Sequence, residues 1–127
     1  MSASFSPHQG LIVVEVYVVG PLGPARLRLA LDTGATNTTV NLALLVAIGY
    51  DPALASHHAR VVTASGVELA PQITVTEITA LGKRRTDFSV LGLTLPPTAT
   101  IDGLLGLDFF RGTVLQVDFQ QGHITLT

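Results

Sequence analysis

One carboxylate stands apart by its surroundings. Asp32 is the only acidic residue between Leu27 and Tyr50, and it ends the apolar run Leu29-Ala30-Leu31. A charge placed where the pattern asks for burial costs free energy unless it is paired or used. Asp32 opens a turn of small residues, Thr33-Gly34-Ala35. Thr33 offers a hydroxyl to brace such a turn, and Gly34 allows close backbone approach. A carboxylate held this way has the chemistry of a general acid or base. Far downstream, Ile101-Asp102-Gly103-Leu104-Leu105-Gly106-Leu107-Asp108-Phe109-Phe110 forms a second distinctive string, apolar around two glycines.

Other chemistries fit less well. Ser65 with His57 or His58 lacks the Gly-x-Ser-x-Gly setting of a nucleophile elbow. Adjacent His57 and His58 diverge, and only His8 and His123 remain, so no metal site is expected. Leu31 to Thr38 also resembles the Asp-x-Gly-x-Thr phosphate loop of sugar kinases and actin-like ATPases. That fold needs two large α/β domains with long helices, which 127 residues do not supply. Lys83-Arg84-Arg85 reads as a solvated turn. Cysteine is absent, which excludes disulfides and thiol nucleophiles. The net charge of -2 gives no electrostatic pull toward nucleic acid. No apolar run reaches the ~18 residues of a membrane-spanning helix. With no secretory signal visible either, the cytoplasm is the default location.

The elements that must position these residues are mostly strands. Leu11 to Val19 is rich in β-branched residues, and the Gly20 to Pro24 stretch is a turn. Leu27, Leu29 and Leu31 then alternate with Arg26, Arg28 and Ala30. Thr38 to Val40 is extended again. Asn41 to Ile48 is the one good helix candidate, with Asn41 as N-cap and Gly49 at C′. Val61 to Thr63 and Val67 to Leu69 flank a hairpin tip at Ala64-Ser65-Gly66. Gln72 to Ala80 and Thr86 to Leu91 are further strands. Leu107 to Phe110 makes one helical turn, and a hairpin over Thr113 to Phe119 and His123 to Leu126 closes the chain. Phe109, Phe110, Val114 and Phe119 are expected in the core. Asp102 and Asp108 read as turn and helix-start residues, Asp108 capping its helix. The pattern is an all-β, barrel-type domain over residues 11–127, with residues 1–10 as an N-terminal extension. Charged residues are 13% of the chain, against ~25% for a usual soluble domain. That hints at a large apolar surface buried against a partner.

The two strings together resemble the retropepsin-like, retroviral-type single-domain aspartic proteases, including small members found in bacteria. Asp32-Thr33-Gly34-Ala35 matches the active-site loop of that family. Leu104-Leu105-Gly106 with Leu107 to Phe110 matches its apolar-apolar-Gly segment and following short helix. The resemblance implies a closed all-β barrel-type domain with one or two short helices and an active site at a two-fold dimer interface. It implies Asp32 as the catalytic residue, with Thr33, Gly34, Ala35, Leu105 and Gly106 supporting the loop. One chain carries one Asp-Thr-Gly, whereas this chemistry takes two carboxyls sharing a proton around a water. A homodimer is therefore implied, acting as an endopeptidase on extended polypeptide with no cofactor. Thr33 would bond across to the partner's loop.

The flap that closes over substrate falls, by the same resemblance, on the hairpin from Arg60 to Leu69, with Thr63, Ala64, Ser65 and Gly66 at its tip. A plain hairpin turn is the alternative there. Two departures from the retroviral pattern matter. Thr36 and Leu107 stand where an acid and an Arg pair near the interface, so both partners of that pair are missing together. Ala35 has no hydroxyl to bond an ionised carboxylate, which moves the expected activity optimum toward weak acid. A catalytically idle, dimeric peptide-binding module of the same fold is the alternative function.

Overall fold

The computed structural model describes residues 1–8, 10–63 and 66–127. The strands are β1 (Ser2–Ser4), β2 (Val13–Gly20), β3 (Gly23–Leu31), β4 (Thr39–Asn41), β5 (His58–Thr63), β6 (Gly66–Ala80), β7 (Lys83–Leu93), β8 (Gly103–Leu105), β9 (Leu115–Asp118) and β10 (His123–Leu126). Two short helices, α1 (Leu42–Ala47) and α2 (Leu107–Phe110), and a 3-10 turn at Pro52–Leu54 complete the described elements.

Alternation builds the barrel. Val14, Val16 and Val18 of β2 and Leu27 and Leu29 of β3 point inward, while Glu15, Tyr17, Arg26 and Arg28 face out. The sheet order is β2-β3-β8-β4-β7-β6-β5, and the free edge of β2 returns to β6 from Val16↔Ala80 to Val19↔Glu77. That pairing closes β2, β3, β8, β4, β7 and β6 on themselves and removes their open edges. The inward phase of β6 changes between Val75 and Ile78, opposite Asp87, whose φ is 50°. Inside that break, the Thr76 N–H donates to the Tyr50 hydroxyl at 2.9 Å, and this hydroxyl donates to the Val19 carbonyl at 2.6 Å.

The step that positions the site is the insertion of β8. It pairs parallel to β3, Leu29↔Gly103 to Leu31↔Leu105, and antiparallel to β4, Thr39↔Leu104 and Val40↔Gly103. The chain from Leu31 to Thr39 must therefore pass over the end of the strand lodged between its own two flanks. Gly103 permits this wedge: its φ is 151°, and a Cβ there would stand 2.0 Å from the Thr39 carbonyl oxygen.

Several sequence expectations hold. Helix α1 begins at Asn41, whose side chain accepts from the Ala43 N–H, and Gly49 follows with a φ of 104°. Others change. Residues 66–80 form one strand rather than two. Pro71 sits where β6 passes from β5, paired up to His58↔Pro71, to β7, paired from Gln72↔Leu91. A residue without an N–H is tolerated at such a change of partner. Lys83-Arg84-Arg85 is not a turn. The turn is Leu81-Gly82, both with positive φ, and Lys83 already pairs with Ala80. Phe109 and Phe110 are buried as expected, but Val114 and Phe119 are mostly exposed, Phe119 meeting Phe5 edge-on at 6.0 Å. Within the first ten residues, β1 pairs with β10, extending the β10–β9 hairpin to three strands.

Phe109 is fully buried and meets Phe88 and Phe110 edge-to-face at 6.1 and 5.5 Å. Phe109→Ala leaves a cavity beneath the short helix and is expected to cost ~3–5 kcal/mol, read as a lower denaturant midpoint.

Candidate active site

The site is a loop tied to a strand end. Strand β3 finishes at Leu31, whose N–H donates to the Ile12 carbonyl at 2.8 Å. The next N–H, of Asp32, donates to the Leu105 carbonyl at 3.0 Å, so the loop starts on the strand lodged beside it. A turn follows, with the Ala35 N–H donating to the Asp32 carbonyl at 3.2 Å. The Ala35 and Thr36 carbonyls then accept from the Leu107 and Asp108 N–H groups at 2.8 and 3.3 Å. Leu105 is fully buried and Gly106 is buried, while Asp32 and Ala35 are half-buried and Thr33 and Gly34 are exposed. The structure thus brings Asp32, Thr33, Gly34, Ala35, Leu105 and Gly106 together.

Gly106 is required by sterics. A Cβ on it would lie 2.7 Å from the Asn37 carbonyl carbon and 2.9 Å from the Ala35 carbonyl oxygen. Both neighbours are backbone, which cannot swing aside as a side chain can.

The carboxylates differ in how they are engaged. Asp32 Oδ1 accepts from the Gly34 N–H at 2.9 Å, the single hydrogen bond to that carboxylate among the described residues. Asp102 Oδ2 accepts from the Arg28 N–H at 2.8 Å, and its own N–H donates to the Arg28 carbonyl, continuing the β3–β8 ladder. Asp108 corrects the expectation of a helix cap. Its two oxygens accept from the Thr38 N–H at 3.0 Å each, and Oδ1 also accepts from the Thr38 hydroxyl at 2.7 Å. That hydroxyl accepts in turn from the Gly106 N–H at 3.1 Å. Asp102 and Asp108 are therefore committed to structure, whereas the half-buried Asp32 carboxylate accepts one hydrogen bond among the described residues.

Arg85 secures the far end of α2. Its Nε donates to the Phe109 carbonyl at 2.7 Å, its Nη2 donates to the Arg111 carbonyl, and its guanidinium lies 5.6 Å from the Phe109 ring centre. Sequence reasoning missed both Thr38 and Arg85. Each lies in a locally polar run, Thr36 to Thr39 and Lys83 to Asp87, where no local signal sets it apart from its neighbours.

The β5–β6 hairpin is present, with Thr63↔Gly66 as its last pair. Ala64 and Ser65, expected at its tip, lie outside the described residues. Opposed pairs Val62↔Val67 and Arg60↔Leu69 share one face, on which Val62, Val67 and Leu69 are all largely exposed. A cavity of about 520 Å³ lies elsewhere, lined by Met1, Val13, Tyr17, Leu81 and neighbours, with no residue of the Asp32 loop. Among the described residues, no three His, Asp or Glu side chains gather as a metal ligand set, and no helix is long and apolar enough to cross a membrane.

The sequence profile of the aspartyl protease family matches residues 14–109, which include both the Asp32 loop and the Leu105-Gly106 segment, and the chain belongs to that family. Among solved structures, it is similar to a retropepsin-like aspartic protease from Rickettsia conorii. The two superpose with a TM-score of 0.73 at 19% identity, covering 99% of this chain and 88% of that one, and share the retropepsin-like fold. No curated protein matches the sequence.

Gly106→Ala forces the Cβ against the Asn37 and Ala35 backbone. The expected cost is ~1–3 kcal/mol, and calorimetry would show it as a lower unfolding temperature.

Proposed function

We propose that the protein is an aspartic endopeptidase that works as a homodimer, with Asp32 of each subunit facing the other across a two-fold axis. The observation that carries this reading is the contrast between carboxylates. Asp32 accepts one hydrogen bond and remains half-open, on a loop whose backbone is pinned at Leu105 and Leu107. Family membership supplies the chemical class.

One carboxylate cannot serve as acid and base in the same step. Two brought together share a proton, because both cannot ionise easily at short range. The ionised partner takes a proton from water as the oxygen attacks the scissile carbonyl. The protonated partner donates to the carbonyl oxygen. Collapse of the tetrahedral intermediate returns that proton and passes the other to the leaving amine. Thr33, exposed beside Asp32, would donate across to the partner's loop and fix the distance between the carboxyls. Leu105 and Gly106 would hold the loop from below, and Gly34 and Ala35 would shape the turn.

Substrate would lie as an extended segment, paired through its backbone with exposed chain edges. The β5–β6 hairpin would act as the flap, and Val62, Val67 and Leu69 fit it to apolar side chains. Closure would exclude water from the reaction.

The test is cleavage of an unbiased peptide mixture from strong acid to neutrality, read by mass spectrometry alongside sedimentation. The parent is expected to sediment as a dimer and to cut in the weak-acid range. Asp32→Asn should lower cleavage by at least ~100-fold while the dimer persists. A folded dimer that cuts nothing at any pH would replace this reading with a peptide-binding module. A monomer that cleaves would overturn the shared-site mechanism.

A further inference from the structure

Only two polar side chains are buried among the described residues, Thr38 and Thr39, and both turn toward the same stretch of chain. Thr39 Oγ1 accepts from the Leu104 N–H at 3.2 Å. Thr38, fully buried, accepts from the Gly106 N–H and donates its hydroxyl proton to Asp108, while its own N–H is shared by both Asp108 oxygens. Its carbonyl accepts from the Leu91 N–H at 3.0 Å, which ties the same residue to β7. A buried hydroxyl must find partners, and an ionised carboxylate makes shorter and stronger hydrogen bonds than a neutral acceptor.

The consequence for Asp32 is geometric. The loop from Asp32 to Thr38 is bound at its start to Leu105, in its middle to Leu107 and Asp108, and at its end to Gly106 and Asp108. Apart from the Leu91 bond to the Thr38 carbonyl, every anchor belongs to one short run of chain. The start and middle anchors are backbone bonds, and the end anchor is made by the Thr38 and Asp108 side chains.

We propose that Thr38 and Asp108 are positioning residues that set where the Asp32 carboxylate stands. The proposal rests on the protease reading above for its kinetic part, and on the hydrogen-bond network alone for its structural part. Thr38→Val keeps the shape of the side chain and removes the hydroxyl. The Gly106 N–H then loses its acceptor, and Asp108 Oδ1 loses one donor. Thr38→Ser keeps the hydroxyl and restores the brace. Asp108→Asn keeps one acceptor oxygen and should fall between the two.

Two readouts on the intact protein separate a local brace from general stability. In amide hydrogen exchange, Thr38→Val should exchange faster across residues 32–38 and 104–108 but not across β6 and β7, and Thr38→Ser should exchange as the parent does. In peptide cleavage, Thr38→Val should lower kcat by ~10- to 100-fold with KM within about twofold, as expected when a catalytic group is slightly misplaced. Thr38→Ser should restore kcat. Unchanged exchange across 32–38 in the valine variant, or a serine variant as impaired as the valine one, would overturn the proposal. If the valine variant does not fold, Asp108→Asn against Thr38→Ser decides by the same two readouts. If the parent cleaves nothing, the exchange pattern alone decides the brace, and the protease reading is what has failed.

Discussion

Everything at this site depends on one wedge: a three-residue strand, Gly103–Leu105, forced between the two strands that flank the Asp32 loop. Its partners lie far away in the chain, so the pairing carries a loop-closure cost that local structure cannot repay. Repayment comes from burial of Leu105 in the barrel and from hydrogen bonds on both edges of the inserted strand. Once the strand is in place, the Leu105 carbonyl and the Leu107 N–H sit where the passing loop can use them. A loop held in this way can leave a carboxylate half-open without losing its shape.

The same wedge explains why two strings so distant in sequence belong together. Gly103 and Gly106 both stand where a Cβ would meet backbone, the first against Thr39 and the second against Asn37 and Ala35. Glycine there is a consequence of chain crossing chain. At Thr36 and Leu107, the positions where the retroviral pattern would place a charged pair, backbone bonds run to each other's neighbours: the Ala35 carbonyl accepts from the Leu107 N–H, and the Thr36 carbonyl accepts from the Asp108 N–H. The charge that does bind the loop belongs to Asp108, one residue further on, and it works within the chain through Thr38.

The two anchors on α2 show how a short helix can be useful without being stable by itself. Four residues cannot repay the cost of helix nucleation. Asp108 near its start binds Thr38, Arg85 binds the carbonyls of Phe109 and Arg111 at its end, and Phe109 fills the core beneath. The helix is thus an inset held from three sides, and it keeps Gly106 pressed against the loop.

What could be read from the sequence was local. The alternation of Val14, Val16 and Val18 reports a strand with one wet face, because side-chain direction repeats every two residues. Asn41 and Gly49 mark the ends of α1 by their own capping chemistry. Asp32-Thr33-Gly34 declared itself as a charge at the end of an apolar run, and the downstream glycines supplied the match. Tertiary structure decided the rest. Whether Lys83 to Arg85 turned or extended depended on Leu81-Gly82 taking the hairpin turn first. Whether Phe119 was core depended on where the last hairpin packed, and whether Ser2–Ser4 was a strand depended on β10 lying beside it. Asp108 could have capped its own helix. It binds Thr38 because the wedge brings a buried N–H and hydroxyl within reach, and no spacing along the chain encodes that meeting.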